Sequence, residues 1–216
     1  MKDRKVIPEI LDSLPAHDPD AQQSRRDLRR VNALMGNYRW GSSRMKDSGL
    51  ENWWELGAGD GSGSRAMQGT SGGIGISAVD LAPRPVDWPE EWEWKQGDLF
   101  DILPSMDREG DQGVFAVLFL HHFKEAPLKR LGKILEGGFS RMVFVEPARF
   151  RGFWLLSHAL LPWVNRVTRH DMLVSIGAGF RVGELTSLLG LGPEWQTKER
   201  VHWLGGLRFE AWREAQ

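Results

Sequence analysis

An apolar run that ends in a carboxylate and then breaks into alternate glycines leaves a chain few ways to fold. Residues 53–63 read Trp53-Trp54-Glu55-Leu56-Gly57-Ala58-Gly59-Asp60-Gly61-Ser62-Gly63. The natural reading is a buried parallel strand over Asn52 to Leu56 that turns sharply into a short helix over Ser62 to Gln68. Glycines without Cβ atoms let the backbone approach a bound molecule, and the free N–H groups at the start of the helix complete a cradle. What that cradle binds decides what the chain does.

The pattern downstream is one of alternation. Ile76 to Asp80 reads as a second strand and Trp94 to Gln96 as a third, with the three prolines between Pro83 and Glu91 too disruptive for a full crossover helix. Val114 to Leu120 is a continuous apolar run, as expected of a central strand covered on both faces. Ala126 to Leu135 is an amphipathic helix stopped by Gly137-Gly138, and Met142 to Val145 is a fifth strand. Phe153 to Val167 reads as a helix kinked at Pro162, and Val182 to Leu189 as another. Trp195 to Trp203 and Leu207 to Trp212, divided by Gly205-Gly206, predict a terminal antiparallel hairpin. The expectation is an α/β, Rossmann-like, doubly wound sheet of seven strands, the last antiparallel between strands five and six, with ligands at the carboxyl ends of the strands.

Upstream of the first strand, residues 1 to about 20 are polar and carry Pro8, Pro15 and Pro19, so they read as an arm. A helix follows from Ala21 to Gly36, with Leu28, Val31, Leu34 and Met35 on one face and Arg25, Arg26, Arg29 and Arg30 on the other. That basic face is either solvated or a lid over the cleft. Residues 1–47 are therefore assigned to an arm and lid helix, and 48–216 to a single globular unit.

Two cofactor classes use a glycine turn after a first parallel strand. A dinucleotide site wants glycines at i, i+2 and i+5, which would place glycine where Ser62 stands; the later match Gly61-x-Gly63-x-x-Ala66 lies four residues too far on. Carboxylates at the ends of three successive strands, Glu55, Asp80 and Asp98, suit a ligand carrying hydroxyls, amines and a sulfonium better than a pyrophosphate. With Phe119-Leu120-His121-His122-Phe123 after the fourth strand, Val145-Glu146-Pro147-Ala148-Arg149 at the fifth, and the downstream Thr168-Arg169-His170-Asp171 block, the chain resembles the class I S-adenosylmethionine-dependent methyltransferases, in a bacterial small-molecule branch. The resemblance spans residues 25 to 212. It implies S-adenosylmethionine as cofactor. Glu55, Gly57, Ala58, Gly59 and Gly61 would face its methionine part, Asp80 both ribose hydroxyls, Asp98 the adenine amino group and Leu99 the ring edge through its N–H, with Leu81 and Leu118 also among the cofactor-binding residues. The sequence departs from many relatives at Gln112 and Val117, where they carry an acidic residue or asparagine.

Methyl transfer from a sulfonium needs the acceptor aligned and water excluded; a base is optional. His122, His121 and His170 are the candidate catalytic residues, with His122 expected nearest the methyl group. Asp171 beside His170 is alternatively a helix cap. Arg149, Arg151 and Arg169 would bind an acidic group on the acceptor or pair with carboxylates. No metal is expected, since His121-His122 with Glu125 lacks a third-ligand spacing. The chain contains no cysteine, which removes disulfides, zinc ribbons and cysteine-ligated clusters. Its net charge of −1 offers no general attraction to nucleic acid. The stretch Phe153 to Val164 is too short and interrupted for a membrane span. No apolar segment follows the charged amino terminus, so the cytoplasm is the expected compartment. The acceptor implied is small and largely apolar, phenolic, quinone-like or polyketide, with O-methylation expected. The alternative is a non-catalytic module that keeps the cofactor site.

Overall fold

The computed structural model describes residues 3–15, 17–71, 73–106 and 111–213. The chain begins with a short helix α1 (Ile10–Ser13), then α2 (Pro19–Leu34) and α3 (Asn37–Ser48). Asp18 caps α2 by accepting from the N–H groups of Asp20 and Ala21 while Pro19 occupies the first helical position, where a missing N–H costs nothing. Then follow β1 (Asn52–Leu56), α4 (Ser62–Ser71), β2 (Gly75–Asp80), β3 (Trp94–Gln96), α5 (Leu99–Ser105) and β4 (Gly113–Val117). The remainder is α6 (Glu125–Gly138), β5 (Arg141–Pro147), α7 (Arg151–Leu160), α8 (Arg166–Ala178), α9 (Glu184–Leu189), β6 (Gln196–Val201) and β7 (Gly206–Trp212).

The seven strands form one sheet in the order β3-β2-β1-β4-β5-β7-β6. β1 to β5 run parallel, and β7 alone runs antiparallel to both of its neighbours. The order reverses at β1, which has β2 on one side and β4 on the other, and such a switch point opens a crevice at the carboxyl ends of the strands. Each face has its own core. Alternation along β1 sends Trp54 and Leu56 to one side, with Val114, Leu131, Leu135, Phe144 and Phe209. Trp53 goes to the other, with Met45, Met67, Ile76 and Phe115. Burying a large apolar side chain contributes about 1.5–3 kcal/mol, so both faces are held firmly. Trp88, Trp92 and Trp94 form an edge-to-face knot in the proline-rich segment, centroids 5.3 and 4.9 Å apart. The tryptophans here act as anchors for a segment that cannot be a helix.

Four expectations change. The fourth strand stops at Val117, because Leu118 takes a left-handed φ of 55° and cannot continue it. The kinked helix from Phe153 to Val167 is two helices, α7 and α8, separated by a 3₁₀ turn at Leu161–Trp163. Pro162 lacks the donor an unbroken helix needs. Besides the single turn of α1 in the arm, two helices escaped the pattern altogether. α3 lies between Gly36 and Gly49, both left-handed, and buries Asn37, Gly41, Ser42 and Met45, so it packs by small residues rather than an apolar stripe. α5 is seven residues long and is capped by Asp98.

The amino-terminal arm is fastened to the body rather than loose. The Arg4 guanidinium donates to the carbonyls of Ala178 at 2.7 Å, His121 at 3.1 Å and Phe123 at 2.9 Å, and lies over the Phe180 ring. The Asp171 carboxylate accepts from the N–H groups of Ile10 at 2.8 Å and Leu11 at 2.9 Å, capping α1 from a different helix. α2 is tied to the start of α8 in the same way: Asn165 donates to Asp20 O at 2.8 Å, Thr168 to Ser24 Oγ at 2.9 Å, and Arg166 pairs with Asp20 at 2.7 Å.

Candidate functional site

The crevice is built on the glycine turn. Gly57, Gly59 and Gly61 all have left-handed φ of 57–71°, which only glycine adopts without strain. Their surroundings differ in a telling way. A Cβ on Gly57 would fall 2.1 Å from the Phe119 ring, and one on Gly61 2.7 Å from the Trp88 ring, so these two are packing positions. A Cβ on Gly59 would meet nothing within 4 Å. The turn is gripped by aromatic rings at both ends and open in the middle, where a ligand can lie on the backbone.

Carboxylates surround that opening. Asp80, at the end of β2, accepts from Gly59 N–H at 2.7 Å with one oxygen and from Ala82 N–H at 2.7 Å with the other. Asp60 accepts from Ser62 N–H at 3.0 Å and pairs with Arg29 of α2 at 2.9 Å. Of the four arginines on the basic face of α2, Arg29 reaches the turn; Arg26 donates to Gln23, and Arg30 lies beside Asp27 on its own helix. Asp98 caps α5, accepting from Phe100 N–H at 2.8 Å, and Leu99 is buried beneath it. Leu81 is exposed at the rim, and Ala58 is buried under the turn.

Glu55 takes a different place from the one expected. Its side chain is 2% exposed and turned under the turn, receiving the Ser64 hydroxyl, with one oxygen 2.6 Å from where a Cβ of Gly63 would stand. Burial pushes its carboxyl up to about 8, the Ser64 hydrogen bond opposes that rise, and the charges of Asp80 and Asp60 add to it. Tyr38 of α3 stands close by. Burial, then Glu55 and then Asp60, push its phenol up to about 12. Tyr38 is the only tyrosine in the chain. The sequence hinted at neither its place nor that of Arg29 in particular, because long-range packing of α2 and α3 brings both in.

The second wall is the turn after β4. Glu146, completely buried at the end of β5, accepts from the N–H groups of Phe119 at 3.0 Å, Leu120 at 2.7 Å and His121 at 3.2 Å, and its Oε2 lies 2.8 Å from His121 Nδ1. One carboxylate thus nests a whole 3₁₀ turn. His121 is itself buried, with its other nitrogen, Nε2, 3.1 Å from Glu9 of the arm. Burial alone would lower the pKa of this imidazole. The hydrogen bonds and charges of Glu146 and Glu9 outweigh it and hold the group up at about 9. With both ring nitrogens taken, His121 is part of the scaffold. His122 is its more accessible neighbour: its ring centroid is 4.3 Å from that of His121 and 6.4 Å from that of Phe119, and its Nδ1 is 3.3 Å from Asp12. His170 is half exposed on α8 and bonds Asp171 at 2.8 Å, the carboxylate that also caps α1. Arg149 is buried and doubly bonded to Glu184, at 2.6 Å for one oxygen, so it fixes the chain after β5. Arg169 donates to Val164 O at 3.0 Å.

No protein-family model matches the sequence, and no curated protein matches it. Solved structures do. The plantazolicin methyltransferase BamL, in complex with a triazolic desmethylPZN analog and SAH, superposes with a TM-score of 0.71 at 9% identity, covering 95% of this chain and 93% of its own. The pyocyanin biosynthetic protein PhzM gives 0.61 at 18% identity over 96% of this chain and 62% of its own. Human N-acetylserotonin methyltransferase in complex with SAM gives 0.56 at 14%, over 94% and 61%. The seven-stranded order with its antiparallel β7, together with these superpositions, gives this chain the Rossmann-like fold seen in those methyltransferase structures.

Proposed function

We propose that the chain is an S-adenosylmethionine-dependent methyltransferase acting on a small, largely apolar acceptor, phenolic, quinone-like or polyketide, with oxygen as the methylated atom. One observation carries this reading: the open middle of the glycine turn has the Asp80 and Asp60 carboxylates beside it and Glu55 buried beneath it. Burial raises the Glu55 carboxyl, and repulsion from Asp80 and Asp60 adds to that rise. A ligand with a sulfonium and an ammonium group relieves that repulsion, and an anionic one aggravates it. Asp80 would exchange its contacts with the Gly59 and Ala82 N–H groups for the ribose hydroxyls, Asp98 would keep an oxygen for the adenine amino group, and Leu81, Leu99 and Leu118 would border the ring. The cofactor supplies the methyl group; the protein aligns donor and acceptor and keeps water out.

The acceptor is expected beside Phe119 and His122, under α7. That helix leaves the carboxyl end of β5 and exposes Phe150, Trp154, Leu155 and Leu156, an apolar surface suited to an apolar acceptor. BamL is named for plantazolicin and the human enzyme for N-acetylserotonin, and both names support methyl transfer as the reaction. A non-catalytic cofactor-binding module is the second reading, favoured by the locked state of His121.

The test is calorimetric titration with S-adenosylhomocysteine, followed by methyl transfer from labelled cofactor to a panel of phenols and quinols. Asp80→Ala should weaken binding by about 1.5–3 kcal/mol, the worth of a charge-assisted contact. Unchanged affinity would remove Asp80 from the cofactor site, and binding without transfer to any phenol or quinol would favour the second reading.

A further inference from the structure

We propose that Glu9, His121 and His122 form a binding site for one divalent transition-metal ion of the zinc and cobalt kind, closed between the amino-terminal arm and the turn after β4. Each of the three offers a ligand atom, and these atoms lie within 4.8 Å of one another. The Glu9 oxygen and His121 Nε2 are already 3.1 Å apart, as two ligands of a common ion are when each stands about 2.0–2.2 Å from it. Small rotations of His122 and Glu9 complete the set. Two imidazoles and a carboxylate select zinc-like ions over magnesium or calcium, which favour all-oxygen sites.

A second, independent feature points the same way. His121 does not hang free: its Nδ1 is held 2.8 Å from the fully buried Glu146, whose other contacts are backbone N–H groups. A ligand histidine is characteristically fixed through its other nitrogen by a carboxylate, which sets the tautomer and aims the remaining lone pair at the metal. Here the remaining ring nitrogen is Nε2, 3.1 Å from Glu9. Binding replaces the Nε2 proton, which leaves to solvent. The outer side of the site is open as well. Asp12 is exposed and its carboxylate lies 3.3 Å from His122 Nδ1, where it orients that imidazole. The Ser175 hydroxyl, which donates to Glu9, orients that carboxylate from α8.

Glu9 stands 112 residues from His121 in the chain, which is why no local spacing shows the site. An ion there would join the arm to the catalytic-face turn, beside the place expected for the acceptor. The ion-binding claim itself does not depend on methyl transfer.

The experiment uses the full chain, stripped with chelator and titrated with Co²⁺ and then Zn²⁺. The expected result is one ion per chain, a visible cobalt d–d band, displacement of cobalt by zinc, and a rise in Tm with zinc. Glu9→Gln and His122→Ala should each weaken binding at least about tenfold, whereas His202→Ala should not. Circular dichroism of each variant, matched to the parent, separates ligand loss from misfolding. Absence of saturable binding up to about 100 μM metal, or binding unchanged in both site variants, overturns the proposal. Because titration with S-adenosylhomocysteine is read separately, failure here and failure of the cofactor reading are distinct results.

Discussion

At the scale of single residues, Glu55 shows how position in the sequence and role in the fold can part. It ends an apolar strand and begins the glycine turn, so a ligand contact was the natural expectation, yet its carboxyl is sealed under the turn against Ser64. Its folded pKa of about 8 lies above its ordinary value of 4.5. A raised carboxyl binds its proton more tightly folded than unfolded, so its contribution to stability is complete below about 4.5, declines as pH rises towards 8 and is flat beyond. Glu55→Gln, which is neutral throughout, should therefore gain on the parent protein across that window by on the order of a few kcal/mol. Chemical denaturation at a series of pH values checks it, and a stability difference independent of pH would mean Glu55 is ionised in its burial. The Asp80 and Asp98 positions at strand ends were legible because a buried strand ending in a carboxylate is a local pattern. Glu146 was visible only as such a strand end, and its grip on three N–H groups was not, since a nest is a property of the turn it meets.

At the scale of elements, the helices that could not be read are those whose packing faces are small or short. α3 buries glycine and serine against α4, where Ser42 donates to Met67 O at 2.8 Å and a Cβ on Gly41 would come within 2.6 Å of Met67. Close approach of this kind leaves no apolar period in the sequence. The arm is a similar case, because its fastening consists of a guanidinium on carbonyls and a distant carboxylate capping α1. That cap yields a prediction. Asp171→Ala leaves the Ile10 and Leu11 N–H groups without their acceptor, and losing a cap costs about 0.5–2 kcal/mol. The arm of this variant should become a preferred site for brief proteolysis near residues 3–13, with the body intact. Equal cleavage rates in parent and variant would show that Arg4 and Glu9 hold the arm without the cap.

Over the whole molecule, the sheet order was legible because alternation of strands and helices, followed by a glycine-divided pair of alternating runs, leaves few right-handed topologies. Partner choice across the sheet was fixed by tertiary packing: β7 inserts between β5 and β6 with Phe209 stacked on Phe144 at 5.3 Å. A chain ending before Gly206 should leave β5 with an open edge and β6 without a neighbour, and should lose near-ultraviolet dichroism; a native-like spectrum from that truncation would mean the five parallel strands suffice. The same insertion has a consequence for synthesis. A ribosome releases β6 before the strand that must separate it from β5, so β6 has no hydrogen-bonded partner while it waits. Part of the arm waits too, since Ile10 and Leu11 find their acceptor on α8, whereas Arg4 also has acceptors at His121 and Phe123, which are made earlier. Until β7 is made, the apolar strand β5 presents an unpaired edge to whatever chaperones the cell provides.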